Sequence, residues 1–276
     1  MRALVPIALA VALPLALAAC GSSSLLPPSG LSKDTPAAAE ATPGSSSAPY
    51  ASTTGPEKSE PFNPFADRSS VASGGREVIA NPTKDEVAQT GPLPEMAWGS
   101  PTAPVTIIKY ASLTCPYCRK FHAEVFPELK REYIDTGKVR YVIREFPIGK
   151  TSGNATIALR CAAPEKYLDL YGKFLTQQAT WVSQEVRLDP IFGVAAQVGL
   201  KRAEFDACMQ NTALIDGLKW IKERGRKLGV IGTPNFFVDG KLYKKVLTMG
   251  DIRALVDPLV AAQAGGGAPG ATPDKG

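Results

Sequence analysis

Between residues 93 and 263 the spacing of apolar positions changes several times, and the changes predict a mixed α/β domain. Val105-Thr106-Ile107-Ile108-Lys109-Tyr110 is β-branched and almost continuously apolar, the pattern of a buried strand. Thr114 is placed to cap a helix that begins near Cys115, accepts Pro116 in its first turn, bends near Pro127 and ends before Gly137. In Lys138 to Phe146, Val139, Tyr141 and Ile143 recur at period two and predict a second strand. From about Asn154 to Leu228 the pattern is helical, with an Asp189-Pro190 start and an amphipathic stretch through Leu214, Leu218, Trp220 and Ile221. Strand character returns in Asn235-Phe236-Phe237-Val238, and Asp239-Gly240 predicts a tight hairpin into Lys241-Leu242-Tyr243. A last helix spans about Asp251 to Gln263, bent at Pro258. The predicted order is β-α-β, a helical insertion at about 150–229, then β-β-α.

The flanks read differently. Arg2 precedes an apolar run from Ala3 to Ala19 that is interrupted by Pro6 and Pro14, the pattern of a secretory signal at residues 1–19. Its end, Leu17-Ala18-Ala19-Cys20, resembles the lipobox of bacterial lipoproteins, which implies a lipidated Cys20 and attachment to a membrane. Cleavage at another small residue, giving a soluble periplasmic protein, is the alternative. An uncleaved membrane helix fits less well, because the run is short and holds two prolines. Residues 20–92 are rich in Ser, Pro, Ala, Thr and Gly and read as a disordered tether, and 264–276 as a flexible tail. The net charge of +5 over 276 residues is modest, so solvated helix surface rather than a nucleic-acid face is expected.

Five cysteines are present, and setting Cys20 aside leaves four. Cys115-Pro116-Tyr117-Cys118 can alternate between dithiol and disulfide. At the first turn of a helix, unpaired amides and the helix dipole favour ionised Cys115, which makes it the attacking thiolate and Cys118 the resolving thiol. Zinc normally takes four ligands and the chain has a single histidine, His122, so no metal site and no cofactor is expected. Copper on two thiolates is the competing use of the pair. Cys161 and Cys208 are available for one structural bridge in the insertion.

The strand ending in Tyr110-Ala111-Ser112, the Cys115-Pro116-Tyr117-Cys118 turn, the insertion, Arg144-Glu145-Phe146-Pro147 and Gly232-Thr233-Pro234 before Asn235-Phe236-Phe237 together resemble the DsbA-like family of periplasmic thiol-disulfide oxidoreductases, in its envelope lipoprotein branch. The resemblance covers about 93–262. It implies a thioredoxin-like α/β fold with an inserted helical subdomain and a cis Pro234 beside the cysteines. It also implies a Thr233 that contacts substrate and tunes the thiol. Lys109 departs from the family, which carries a carboxylate six residues before the first cysteine. Either Lys109 biases the couple toward the thiolate, or its ammonium snorkels to solvent. His122, on the helical face of the two cysteines, is a candidate proton relay or a boundary residue. Glu145 is a candidate proton handler or a surface residue. Tyr117 brings a hydroxyl and no charge.

The function so implied is a monomeric dithiol oxidase that forms disulfides in unfolded or partly folded exported proteins and is reoxidised by a membrane redox partner. The alternatives are a disulfide isomerase or reductase, and a redox-linked copper chaperone or assembly factor. A periplasmic location follows, lipid-anchored and leaning to the outer membrane because Gly21 is not the aspartate associated with inner-membrane retention in some bacteria.

Overall fold

The structure, a computed structural model, describes residues 77–265. Cys20, the apolar run before it and most of the expected tether lie outside the described residues, as does the tail beyond Gly265. Five strands, β1 (Met96–Trp98), β2 (Val105–Ala111), β3 (Val139–Glu145), β4 (Asn235–Val238) and β5 (Lys241–Tyr243), form one sheet in the order β1-β3-β2-β4-β5. β2 runs parallel to β3 and antiparallel to β4, while β1 and β5 close the two edges antiparallel. The continuous apolar character of Val105–Ala111 follows from this central position, with a neighbour on each side and a core on each face.

Side-chain alternation divides β2 between two cores. Ile107 and Ala111 join a large core with Phe121, Leu129, Tyr141, Phe174, Trp181 and Phe236. Ile108 and Tyr110 join a smaller one with Val87, Val142, Phe146 and Phe237. Lys109 shares the parity of Ile107 and enters the large core. The Asp239-Gly240 turn has φ of 50° and 88°, the left-handed pair a two-residue hairpin between twisted strands requires.

Ten α-helices are described: α1 (Lys84–Ala88), α2 (Pro116–Glu124), α3 (Phe126–Leu129), α4 (Gly149–Cys161), α5 (Tyr167–Thr176), α6 (Gln178–Trp181), α7 (Leu188–Ala195), α8 (Arg202–Met209), α9 (Thr212–Lys227) and α10 (Met249–Gly265). The insertion between β3 and β4 comprises α4 to α9. A disulfide joins Cys161 at the end of α4 to Cys208 in α8, 47 residues apart in sequence. Closing such a loop restricts the unfolded chain by about 4 kcal/mol in the chain-entropy account. The insertion is also tied to the sheet. Arg160 of α4 pairs with Glu145 of β3, and Tyr167 Oη donates to the same carboxylate at 2.8 Å.

The structure departs from the sequence reading in three places. The bend expected near Pro127 is a break at Val125, because Pro127 has no N–H to give the Ala123 carbonyl, and the helix finishes in a π-helical turn over Lys130–Ile134. Thr114 does not cap it: its hydroxyl shares a hydrogen bond with Ser112 Oγ, and Cys115 itself is the N-cap. Residues 77–92, expected in the tether, instead pack on the domain. Thr83 and Glu86 form a capping box at α1, and Ile79 N donates to Lys227 O at 2.8 Å. Val87 is buried, and the Arg144 guanidinium beneath it donates to Val87 O, Ala88 O, Glu95 Oε1 and Tyr110 Oη.

Replacing Arg144 with Met leaves the Val87 carbonyl and Glu95 without this donor. The expected loss is about 1–3 kcal/mol of stability, with α1 the first part released. Chemical denaturation combined with limited proteolysis checks this: cleavage within 77–92 should precede cleavage within 93–263.

Candidate active site

β2 ends at Ala111, whose carbonyl accepts from Phe146 N at 2.7 Å, and a turn closed by Cys115 N to Ser112 O delivers the chain to α2. Pro116 stands in the first turn of α2, where its missing N–H is not needed and its φ is already helical. No side chain caps this helix, so its first-turn amides point toward the Cys115 sulfur. Cys115 is half-buried and Cys118 fully buried, and both are free thiols.

The two sulfurs have opposite electrostatics. Cys115 is pulled down to about 5, chiefly by a hydrogen bond from the Cys118 thiol, against the opposing effect of burial; Thr233 and the amides of Cys118 and Tyr117 add to the pull. Cys118 is pushed well above the ordinary thiol range by burial first, and then by its hydrogen bond to Cys115, with Lys109 opposing. A thiolate beside a thiol is therefore the favoured reduced state.

Across the site the Thr233–Pro234 peptide is cis. When protonated, Cys115 Sγ donates to Thr233 O at 3.1 Å. Thr233 Oγ1 is buried with no other partner, which leaves its hydroxyl for the thiolate. Tyr117 is exposed, and so are Ile148 and Ile231 on the loops that flank the Ser112–Cys115 turn and Thr233. Exposed apolar side chains therefore stand on three segments next to the turn that carries Cys115.

Lys109 does not snorkel. Its side chain is 0 % exposed, its Nζ lies 4.6 Å from the centroid of Phe121 and 5.2 Å from that of Tyr171, and it has no hydrogen-bond partner. Burial lowers it to about 8, with the charges of Cys118 and then Cys115 opposing. His122 stacks on Phe126 and meets the edge of Tyr171, and it is held neutral, down to about 4, by burial and then by Lys109. Glu145 is not a surface residue; its carboxylate is buried and occupied by Arg160 and Tyr167.

Two positions in the insertion gave no signal in the sequence. Gln178 of α6 is buried and its Nε2 donates to Leu113 O at 2.7 Å and to Cys115 O at 3.2 Å. Ser152 of α4 shares a 2.7 Å hydrogen bond with Ser112 Oγ. The insertion thus grips both ends of the turn that carries Cys115. Among the described residues no group of three or more His, Cys, Asp or Glu is placed to hold a metal ion.

Comparison with known proteins follows the same outline. A family model described as Thioredoxin matches residues 93–258. A Rickettsia conorii protein named as a protein-disulfide oxidoreductase is 32% identical over 151 residues, which are 53% of this chain and 53% of that protein. The chain thus spans about half the length of this curated relative. The crystal structure of Wolbachia pipientis alpha-DsbA1 aligns with a TM-score of 0.60 at 28% identity, over 66% of this chain and 98% of that one. Oxidised BdbD from Bacillus subtilis, 19% identical, shares the fold with a TM-score of 0.57, over 67% of this chain and 98% of that one. With the family match covering more than half of its length, and a helical insertion between β3 and β4 of the sheet, the chain belongs to the thioredoxin family as a DsbA-like member.

Proposed function

We propose that this protein is a thiol-disulfide oxidoreductase acting through Cys115 and Cys118, and that it works as a dithiol oxidase on unfolded or partly folded exported proteins. The observation that carries the reading is the asymmetry of the pair: a half-buried sulfur held as thiolate at a helix N-terminus, one turn before a buried sulfur held as thiol. A substrate thiolate attacks Cys115 Sγ of the enzyme disulfide and expels Cys118. A second substrate thiolate then attacks the substrate sulfur of the mixed disulfide, and Cys115 leaves as thiolate. A low leaving-group pKa speeds that second step, and a stabilised reduced form drives it toward oxidation of the substrate.

In this scheme Thr233 lies against the nucleophile and, with Pro234, offers backbone to an extended substrate segment. The exposed apolar side chains of Tyr117, Ile148 and Ile231 suit a chain that has not yet buried its core. The names of the relatives support the same chemistry: the Rickettsia conorii protein is named for protein-disulfide oxidoreduction, and a Bacillus subtilis relative is named disulfide bond formation protein D. Reoxidation by a membrane partner, a lipidated Cys20 and a periplasmic site of action complete the proposal. Among the described residues no helix is long and apolar enough to cross a membrane.

Two measurements test this reading. Because the folded pKa of Cys115 is depressed to about 5, the reduced protein gains stability above that titration and loses it as pH falls through it. Thermal unfolding should show the reduced form more stable than the oxidised form at neutral pH, with the gap narrowing toward acid; a Cys115→Ser variant should lack this pH dependence. Oxidised enzyme mixed with a reduced, unfolded substrate should give one substrate disulfide per enzyme. Repair of scrambled disulfides by a persistent dimer would instead identify an isomerase, and stoichiometric copper binding without dithiol oxidation a chaperone.

A further inference from the structure

A buried lysine with no partner is costly to keep charged, since the ion gives up its hydration and receives no hydrogen bond in return. The contacts of Lys109 with the faces of Phe121 and Tyr171 offset only part of this cost. An anion is needed to hold the charge, and few groups facing Lys109 can supply one. From α2 these are Cys115, Cys118 and His122; from α5, Tyr171; from β3, Tyr141 behind Cys118; β4 places the apolar Phe236 opposite it in register. Tyr141 and Tyr171 are held as phenols by burial, and His122 is neutral. On β3, Glu145 is taken by Arg160, and Arg144 is directed to Glu95. Cys115, as a thiolate, is the group in this set that can balance an ammonium, and it exists as a thiolate only when the disulfide is open.

We infer that Lys109 is a proton store coupled to the redox state of the cysteines: neutral beside the Cys115–Cys118 disulfide, and protonated beside the Cys115 thiolate. The inference rests on the oxidoreductase reading above and adds where the protons go. The substrate dithiol gives up two electrons and two protons. The electrons open the enzyme disulfide. One proton ends on Cys118 Sγ and the other on Lys109 Nζ, while Cys115 remains a thiolate. No further acid, base or oxidant enters the balance. The direction of the charge effects agrees, because negative charge on the cysteine pair, felt from Cys118 and then from Cys115, raises Lys109 against the lowering by burial, and joining the two sulfurs in a disulfide removes that charge.

The test is the number of protons taken up per two electrons, read from the pH dependence of the Cys115–Cys118 potential against a reference couple of known behaviour. The window lies below the titration of Lys109 in the reduced protein, at about 8, and above both that of Cys115, at about 5, and that of Lys109 in the oxidised protein. Two protons are expected in the wild-type protein, a hundredfold change in the equilibrium constant per pH unit, or about 59 mV for this two-electron couple. One proton is expected in Lys109→Met, a tenfold change, or about 30 mV. Thiolate absorbance read in parallel shows that Cys115 is ionised throughout the window. A one-proton slope in the wild-type protein, or equal slopes in both proteins, overturns the inference and leaves the redox reading intact. Absence of any measurable couple overturns both. Should Lys109→Met fail to fold, nitrogen-15 NMR of the wild-type Lys109 side chain decides the matter: an ammonium signal in the reduced form and a neutral amine in the oxidised form are expected, and the same charge state in both refutes the proposal.

Discussion

The chemistry of this site depends on a vacancy at the start of α2. Helices leave their first amides without intrahelical partners, and a Ser, Thr, Asp or Asn side chain commonly satisfies one of them. Here the N-cap is Cys115, with extended backbone at φ −75° and ψ 121° and no side-chain cap, so the helix end is open to the sulfur. A thiol is a poor cap and a thiolate a better one, so the under-capped end, through the amides of Cys118 and Tyr117, adds to the larger pull of the Cys118 thiol in making ionisation favourable. Replacing that N-cap with a conventional one would satisfy the helix and remove the nucleophile.

An open helix end serves this purpose only if the turn before it does not move. The insertion supplies the restraint. Gln178 and Ser152 reach the turn from α6 and α4, and Thr233 faces it from the opposite loop. α4 is fixed in turn by the Arg160–Glu145 pair and the Cys161–Cys208 bridge, and α6 is tied to α5 by Trp181 Nε1, which donates to Phe174 O at 2.8 Å. Arg160 also donates to Pro94 O at 2.8 Å, which ties the insertion to the segment before β1 as well as to β3. Glu145 is therefore committed to structure. Its two oxygens already hold a guanidinium and a phenol, and a proton shuttle there would have to break a buried ion pair.

Much of this was legible in the sequence where one residue type has one strong preference. The β-branched run of β2, the Asp239-Gly240 turn and the Cys115-Pro116-Tyr117-Cys118 helix start each follow from local chemistry. What escaped was decided by distant partners. β1 has three residues, too few to show a period, and exists because β3 offers an edge. Residues 77–92 look like more of the Ser/Pro-rich tract before them, and their order depends on Arg144, about 60 residues away in sequence. The signal that marks α1, Thr83 followed three residues later by Glu86, is present in the chain, but it opens only five helical residues. Gln178 stands beside Gln177 and reads as surface; only the fold turns it toward the Cys115 loop. Lys109 was visible as a departure, but its burial was not, since a strand pattern gives the face of a residue and not the length of side chain that the core can cover.

The sign of the charge at position 109 matters more than its presence. A carboxylate in this pocket would repel the Cys115 thiolate, so buried negative charge would favour the disulfide. An amine reverses the balance. Beside a disulfide it loses its proton, because nothing compensates a cation there; beside a thiolate it gains one. The site is then without net charge in both states: a neutral amine and a disulfide in one, an ammonium and a thiolate in the other. A low-dielectric interior penalises uncompensated charge far more than compensated charge. A reduced state stabilised in this way acts in the same direction as the helix terminus, and both lead toward removal of electrons from the substrate.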